Sequence, residues 1–354
     1  MRPYLILGMI TLVGVPLLTT PCTAQSYSFA SIDVPCSAEP PTHCPNGISR
    51  RTAIGGINPA GDIVGTYTDG VGRQHGFLLR GGRFTTIDVP GRFAGVTGDL
   101  SSVARGISPA GDIVGQFTAP YNPPFSTSVG FDSPAYCPSV TPPQSAACIK
   151  GFLYRRGSFG VVLFPGHPGA IPGRILPDGS IYGCLHDFDT MGSMLSAAWT
   201  RFGDTSIAVG GGALSDPTLS YPNSMHGGAT PDGSVVTGFY IDMAVMPNHQ
   251  HGYFLENGVL QTYDVPNSTL TVVWDINPGR EAVGTYVDQG GVQHGFVQSP
   301  DGSAPITLDV PSIAPFNSVL TIAMSINPAG VIVGQYKDTG GHTHGFVAMP
   351  ATTN

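Results

Sequence analysis

Lysine is almost missing from this chain: Lys150 and Lys337 are the only two, and charged residues of every kind make up 11% of 354 positions. The formal net charge is −8, and no Lys/Arg cluster stands out against it. An acidic surface of that kind argues against nucleic acid and anionic membranes as partners. Glutamate is equally scarce, limited to Glu39, Glu256 and Glu281, the last two in turns. That argues against a glycosidase built on a glutamate pair, while acid/base chemistry on aspartate stays open. The sequence also lacks G-x-S-x-G, H-E-x-x-H, an EF-hand loop and a phosphate-cradling glycine motif. After residue 18 there is no long apolar run, so no membrane insertion is expected beyond that point.

The one apolar run, residues 4–18, follows Arg2 and precedes Cys22-Thr23-Ala24. This is the layout of a secretory signal over residues 1–24, cut between Ala24 and Gln25. The run is short for a spanning helix, and Pro16 interrupts it. The expected location is therefore secreted, extracellular or periplasmic. An oxidising compartment gives meaning to two close cysteine pairs, Cys36/Cys44 and Cys137/Cys148, as disulfides. Cys184 is left over and reads as a small buried residue rather than a reactive thiol.

What the chain has in excess is glycine (49) and proline (33), placed at regular intervals between short Ile/Val/Phe-bearing runs. Residues 56–90 show the unit: turn Asn58-Pro59-Ala60-Gly61, strand 62–67, break Asp69-Gly70, strand 75–79, hairpin Gly81-Gly82, strand 84–89, stop Pro90. With the short run 52–58 this makes four antiparallel strands. The turn proline recurs at Pro59, Pro109, Pro177, Pro231, Pro278 and Pro328. A glycine follows six residues later in five copies (Gly65, Gly115, Gly183, Gly284, Gly334); in the fourth, Gly238 comes seven later, which suggests a bulge. The last copy lacks a fourth strand, and a spare one, YSFASIDVP, stands at residues 27–35. The expected fold is all-β: a six-bladed β-propeller of four-stranded antiparallel blades, closed by the N-terminal strand. It forms one domain over 25–350, with blades near 52–90, 103–165, 171–209, 227–266, 272–311 and 322–349 plus 27–35, and a tail at 351–354. The third copy is the most decayed, with Trp199 where others have Phe.

Gly-Ile-Asn-Pro-Ala-Gly-x-Ile-Val-Gly followed by His-Gly-Phe, as at His75, His294 and His344, resembles the bacterial extracellular HAF-repeat family, where His-Ala-Phe is the usual third motif. The resemblance covers essentially the whole chain after the leader. It implies export and a repetitive β architecture, and no established chemistry.

Long connections fall between the fourth and first strands or between the second and third, which emerge on one face of up-and-down blades. Binding is expected on that elaborated face. Turn arithmetic places His75 opposite Asp88, His251 opposite Asp264, His294 near Asp309 and, through closure, His344 near Asp33. One reading is a row of acid/base dyads; the other, preferred because repeated residues serve the repeat, is a structural latch between strands. Among unrepeated residues, Arg174 and Asp275 break a small-residue rule on the axial strand, as an inter-blade ion pair or a ligand contact. His186, Asp187, Asp189, Asp242, His249 and Asp132 lie in loops of one face, either solvated or ligating a divalent metal such as calcium. No cofactor is otherwise expected. The functional expectation is a monomeric, non-enzymatic binder of a glycan or cell-envelope protein. The alternative is an extracellular hydrolase or lyase with a metal-assisted axial site.

Overall fold

The computed structural model describes residues 26–35, 51–70, 72–94, 97–118, 149–163, 169–186, 194–199, 208–209, 223–242 and 249–351. The fold is all-β. The expected leader, residues 1–24, and Asp132, Asp187 and Asp189 lie outside the described residues. So do all four cysteines of the two expected disulfides: Cys36 and Cys44 of the first, Cys137 and Cys148 of the second. Among the described residues there is no disulfide, because Cys184 is the one cysteine they include. No described helix is long and apolar enough to cross a membrane.

After β1 (Tyr27–Ile32) the chain makes sheet one from β2 (Arg51–Ile57), β3 (Ile63–Thr68), β4 (Gln74–Arg80) and β5 (Arg83–Ile87). Sheet two holds β6 (Ser101–Ile107), β7 (Ile113–Thr118), β8 (Ile149–Arg155) and β9 (Ser158–Leu163). Sheet three has β10 (Gly169–Ile175), β11 (Ile181–His186) and β12 (Met194–Trp199), followed by the two-residue β13 (Ala208–Val209). Sheet four is β14 (Ser224–Ala229), β15 (Val235–Asp242), β16 (His249–Glu256) and β17 (Val259–Tyr263). Sheet five is β18 (Leu270–Ile276), β19 (Ala282–Val287), β20 (Gln293–Gln298) and β21 (Ile306–Leu308). The last sheet has β22 (Ser318–Ile326), β23 (Ile332–Asp338) and β24 (Thr343–Pro350), and its outer strand is β1, antiparallel to β24 from Tyr27↔Pro350 to Ile32↔Gly345.

Local chemistry accounts for the repeat. In the first turn Asn58 accepts the Asp62 N–H on its side-chain oxygen at 2.9 Å, and Gly61 takes φ +84°, a left-handed conformation costly for residues with a Cβ. The same side-chain bond recurs at Asn277 with the Glu281 N–H, at 3.0 Å. The hairpin Gly81-Gly82 has φ +55° and +76°, the double positive value of a tight two-residue turn. In sheets one, two, five and six the glycine six residues past the proline leaves room for an aromatic ring: a Cβ on Gly65 would lie 2.8 Å from the Phe77 ring, and one on Gly334 2.8 Å from Phe346.

Asp-Val-Pro binds four of the sheets to the next. The Val34, Val89, Val265 and Val310 N–H groups donate to Thr52, Ser102, Thr271 and Thr321 side chains at 3.0–3.1 Å, each on the first strand of the following sheet. These valines are buried in the clusters that fill the space between neighbouring sheets. First strands touch in sequence, β2 with β6, β6 with β10, β10 with β14, β14 with β18 and β18 with β22, and β22 also touches β2.

Three local expectations are corrected. Among the described residues sheet three has three strands rather than four: β13 runs parallel to β9 of sheet two, at Ala208↔Val162, instead of pairing with β12. The third copy carries no Asp-Val-Pro in its sequence. Trp199 does not occupy the repeated Phe position. Ala197 lies opposite Gly183, and Trp199 lies two residues further along, opposite Ile181. The extra residue of the fourth copy lies in its turn, where Thr230 N–H bonds Val235 O, against Asn58 N–H to Asp62 O in the first. A bulge does occur in the first strand, but all six sheets share it: register slips by one between Ile54/Gly56, Ala104/Gly106, Pro172/Arg174, His226/Ala229, Val273/Asp275 and Ala323/Ser325.

Candidate functional site

The six bulges create the site. A bulge turns two successive side chains toward the same side of a strand. In sheets one, two, three, five and six the extra residues are Gly55, Arg105, Gly173, Trp274 and Met324, with Gly227 at the matching place in sheet four. All six line one cavity of about 300 Å³. Most of the rest of its wall comes from the first halves of first strands and from second strands, with Gln74 at the start of β4 and Arg174 near the end of β10. It therefore opens on the end of the molecule from which the long loops leave. A smaller space of about 90 Å³ opens at the opposite end, walled by the six turn prolines.

Arg174 borders both spaces and separates them. Its Nη1 donates to the carbonyls of Gly55, Arg105 and Gly173, each at 3.0 Å, and Nη2 donates to Met324 O at 2.5 Å. Carbonyls from four first strands are thus held by one guanidinium. Its Nε lies 3.6 Å from Asp275 Oδ2, an ion pair too long for a hydrogen bond. Asp275 accepts from Ser325 Oγ at 2.5 Å and the Ile326 N–H at 3.2 Å. The structure thus brings Arg174 and Asp275 together as a pair that spans sheets three, five and six.

The larger cavity is cationic. Arg51, Arg105 and Arg174 line it, and no described lining residue is acidic. Arg105 donates from Nε to Gln116 Oε1 at 2.9 Å and has no carboxylate partner among the described residues. Burial, reinforced by the Arg174 charge, draws its pKa below the ordinary guanidinium value. Two residues lining this space carry a buried polar atom with no hydrogen-bond partner among the described residues, Thr66 Oγ1 and Trp274 Nε1, while Arg174 Nε has only its ion-pair contact with Asp275. Orphans of this kind are uncommon in folded proteins, and each calls for an explanation such as strain, a catalytic role or a bound water or ion. Sequence reasoning found Arg174 but missed Arg105 and Trp274, one place earlier in the repeat. The readable signal was that column's alternation of glycine with large residues; its meaning depends on the bulge.

The other candidates lie elsewhere. Asp242 ends β15 opposite His249, the first residue of β16, and neither lines the axial cavity. His186 ends β11, with Gly169 and Met194 as its cross-strand partners. Cys184 is a fully buried thiol outside any disulfide, and burial pushes its pKa up to about 12.

The His–Asp contacts are short: His75 Nδ1 to Asp88 Oδ2 2.6 Å, His251 to Asp264 2.8 Å, His294 to Asp309 2.7 Å and His344 to Asp33 2.9 Å. In three of the four the second ring nitrogen meets another aspartate, Asp69, Asp288 or Asp338, at 3.3–3.4 Å. A tyrosine stacks on each ring, Tyr67, Tyr240, Tyr286 or Tyr336, with centroids 4.9–5.2 Å apart. Its hydroxyl reaches Thr86, Thr262, Thr307 or Ser31 of the outer strand. Sheet two has Phe117 and the buried Lys150 at the Tyr and His places; burial lowers the lysine pKa to about 8. Sheet three has Leu185 and Leu195 there. Each motif therefore stands or falls as a unit, and its parts join three strands of one sheet.

Burial opposes charging His75 and His294, yet hydrogen bonds and charge from the flanking aspartates outweigh it, so both pKa values are raised. The protonated forms favour the fold. Their contribution is complete below about pH 6.5, the ordinary histidine value, and is lost as pH rises through the raised folded values. The melting temperature is therefore expected to fall between mildly acidic and mildly alkaline buffer, and to fall less in a His75→Asn/His294→Asn variant. Parallel pH profiles for the two proteins would contradict this.

No family model matches the chain, and no curated protein sequence is similar to it. Among solved structures, TolB from Acinetobacter baumannii is similar with a TM-score of 0.43 and 12% identity, over 86% of this chain and 64% of that one. Trypanosoma rangeli sialidase bound to the inhibitor DANA gives 0.48 and 12%, over 91% and 59%. The polysaccharide lyase Uly1 gives 0.39 and 12%, over 73% and 60%. The chain spans 59% to 64% of the length of these proteins. The class defined by the strand pairing is an all-β, propeller-like protein.

Proposed function

We propose that this is an exported six-bladed β-propeller, closed by β1, that binds an acid-bearing glycan in its axial cavity without catalysing a reaction. Support for the ring comes from the unbroken cycle of first-strand contacts and from Val34, which joins the last sheet to Thr52 as the other valines join their neighbours. The observation that carries the ligand class is Arg105, a buried guanidinium with no carboxylate partner among the described residues, in a cavity whose described lining holds no acidic residue. A carboxylate is the group that satisfies a guanidinium without a counter-ion. Gln74, Gln116 and Gln335 supply amides for hydroxyls, and Trp274 supplies an aromatic surface and an unused N–H. The size is at the low end of small-ligand sites, about 300–1,000 Å³, and suits one acidic sugar residue. The hydrolase or lyase reading finds no carboxylate or histidine in the described lining to act as acid or base.

Calorimetric titration with uronate oligosaccharides and their neutral counterparts tests the proposal. Saturable binding is expected for the acidic set alone, weakened about 10–100-fold by Arg105→Met, the loss of one charge-assisted contact. Equal affinity for neutral sugars, or an unaltered Arg105→Met variant, would overturn it. Turnover of any bound oligosaccharide would restore the enzyme reading.

A further inference from the structure

Sheet four departs from the His–Asp pattern at one place. In sheets one, five and six the turn aspartate precedes the histidine by six residues, and both ring nitrogens face carboxylates. In sheet four the corresponding aspartate, Asp242, precedes His251 by nine residues and pairs in register with His249 instead. His251 keeps Asp264 on Nδ1 at 2.8 Å, and no second carboxylate bonds it among the described residues. In place of that carboxylate stands another imidazole. His249 and His251 are two apart on β16 and so project from the same face of the strand. Their rings stack with centroids 4.3 Å apart. His249 Nε2 is shut off from solvent and has no hydrogen-bond partner among the described residues. One donor atom from each of His249, His251 and Asp264 lies within 4.8 Å of the others.

We propose that His249, His251 and Asp264 form a binding site for a divalent transition-metal ion, with zinc as the best fit. Two imidazoles and a carboxylate are borderline donors, which favour zinc, nickel or cobalt over calcium or magnesium. Bonds of about 2.0–2.2 Å hold donors no more than about 4.2 Å apart. The rings therefore close inward slightly as the ion enters. Asp264 is 35% exposed on its side chain, so the ion keeps an outward position for water or for a ligand atom. The site is separate from the axial cavity, and its existence does not depend on what that cavity binds.

The test is calorimetric titration of untagged, chelator-stripped protein with zinc alone, and the d–d spectrum of the cobalt-loaded protein. One equivalent is expected to bind, with a cobalt spectrum of four or five nitrogen and oxygen donors. His249→Ala is expected to weaken zinc on the order of 100-fold. This variant leaves the His251–Asp264 bond intact and should melt like the parent. His294→Ala, which removes a histidine of the regular pattern, should leave zinc affinity unchanged. Absence of a saturable equivalent, equal affinity in the His249→Ala protein, or loss of affinity in His294→Ala equal to that in His249→Ala would each overturn the site.

Discussion

Arg174→Met is expected to lower the free energy of unfolding by about 3–5 kcal/mol, the cost of leaving one member of a buried ion pair alone. Both partners are largely removed from water, with 12% and 10% of their side chains exposed, so solvent screening gives little relief. The methionine would fill much of the volume but could not satisfy the carbonyls of Gly55, Arg105, Gly173 and Met324. These belong to β2, β6, β10 and β22, so the loss would loosen contacts between sheets rather than within one. Asp275 would keep Ser325 Oγ and the Ile326 N–H but no counter-charge. Adding Asp275→Asn should therefore recover part of the loss, because the stranded charge is removed with it. Urea unfolding of the four proteins in this cycle gives the coupling. A single variant that unfolds at the parent's midpoint would show that Arg174 does not tie the first strands together.

A chain lacking residues 26–35 is expected to fail to hold a stable native state. β1 supplies six paired residues to β24, and with them the Phe29–Phe346 contact, the Ser31–Tyr336 hydrogen bond, the Asp33–His344 pair and the fully buried Val34. Phe29, Ile32 and Val34 together contribute roughly 5 kcal/mol of apolar burial, comparable with the entire net stability of many domains. Truncation would also bare the edge of β24 to other chains, a route to aggregation. Adding a synthetic peptide of residues 26–35 should restore folding in proportion to its concentration, since it completes the missing strand. Circular dichroism and light scattering follow both effects. A truncated chain that melts with the parent's transition would mean that the final sheet stands without its outer strand.

The strands and their order within each sheet were legible because turn chemistry is local. Asn-Pro-Ala-Gly, Gly-Gly and Asp-Val-Pro each encode a backbone conformation that few other residues adopt. The His75–Asp88 and His251–Asp264 contacts were legible for the same reason, since a two-residue turn sets cross-strand register by counting, whereas His344–Asp33 followed only from assigning the N-terminal strand to the last sheet. The tyrosine of each motif, two residues beyond the repeated glycine, was equally visible in the text. Its stacking on histidine was not, because a ring contact leaves no spacing signature beyond that of any half-buried aromatic on a strand. The third copy misled because its turn survives while its third strand is shifted by two residues, leaving Ala197 opposite Gly183. No local signal marks such a slip once the histidine and the Asp-Val-Pro are both gone.

By itself the sequence determined an all-β chain of repeated antiparallel units, an acidic composition and the aspartate partners of four histidines, three of those partners lying within about twenty residues. Tertiary structure alone decided which side chains meet at the axis. Arg105, Arg174, Trp274 and Met324 come from four different repeats, and a one-residue bulge, invisible in the spacing, turns each of them or its neighbour inward. The same holds for His249: only the longer excursion after Asp242 sets it against His251 in place of a carboxylate. Sites built between repeats depend on how the sheets sit against one another, and that geometry comes from the buried valines and aromatics between them rather than from any single motif.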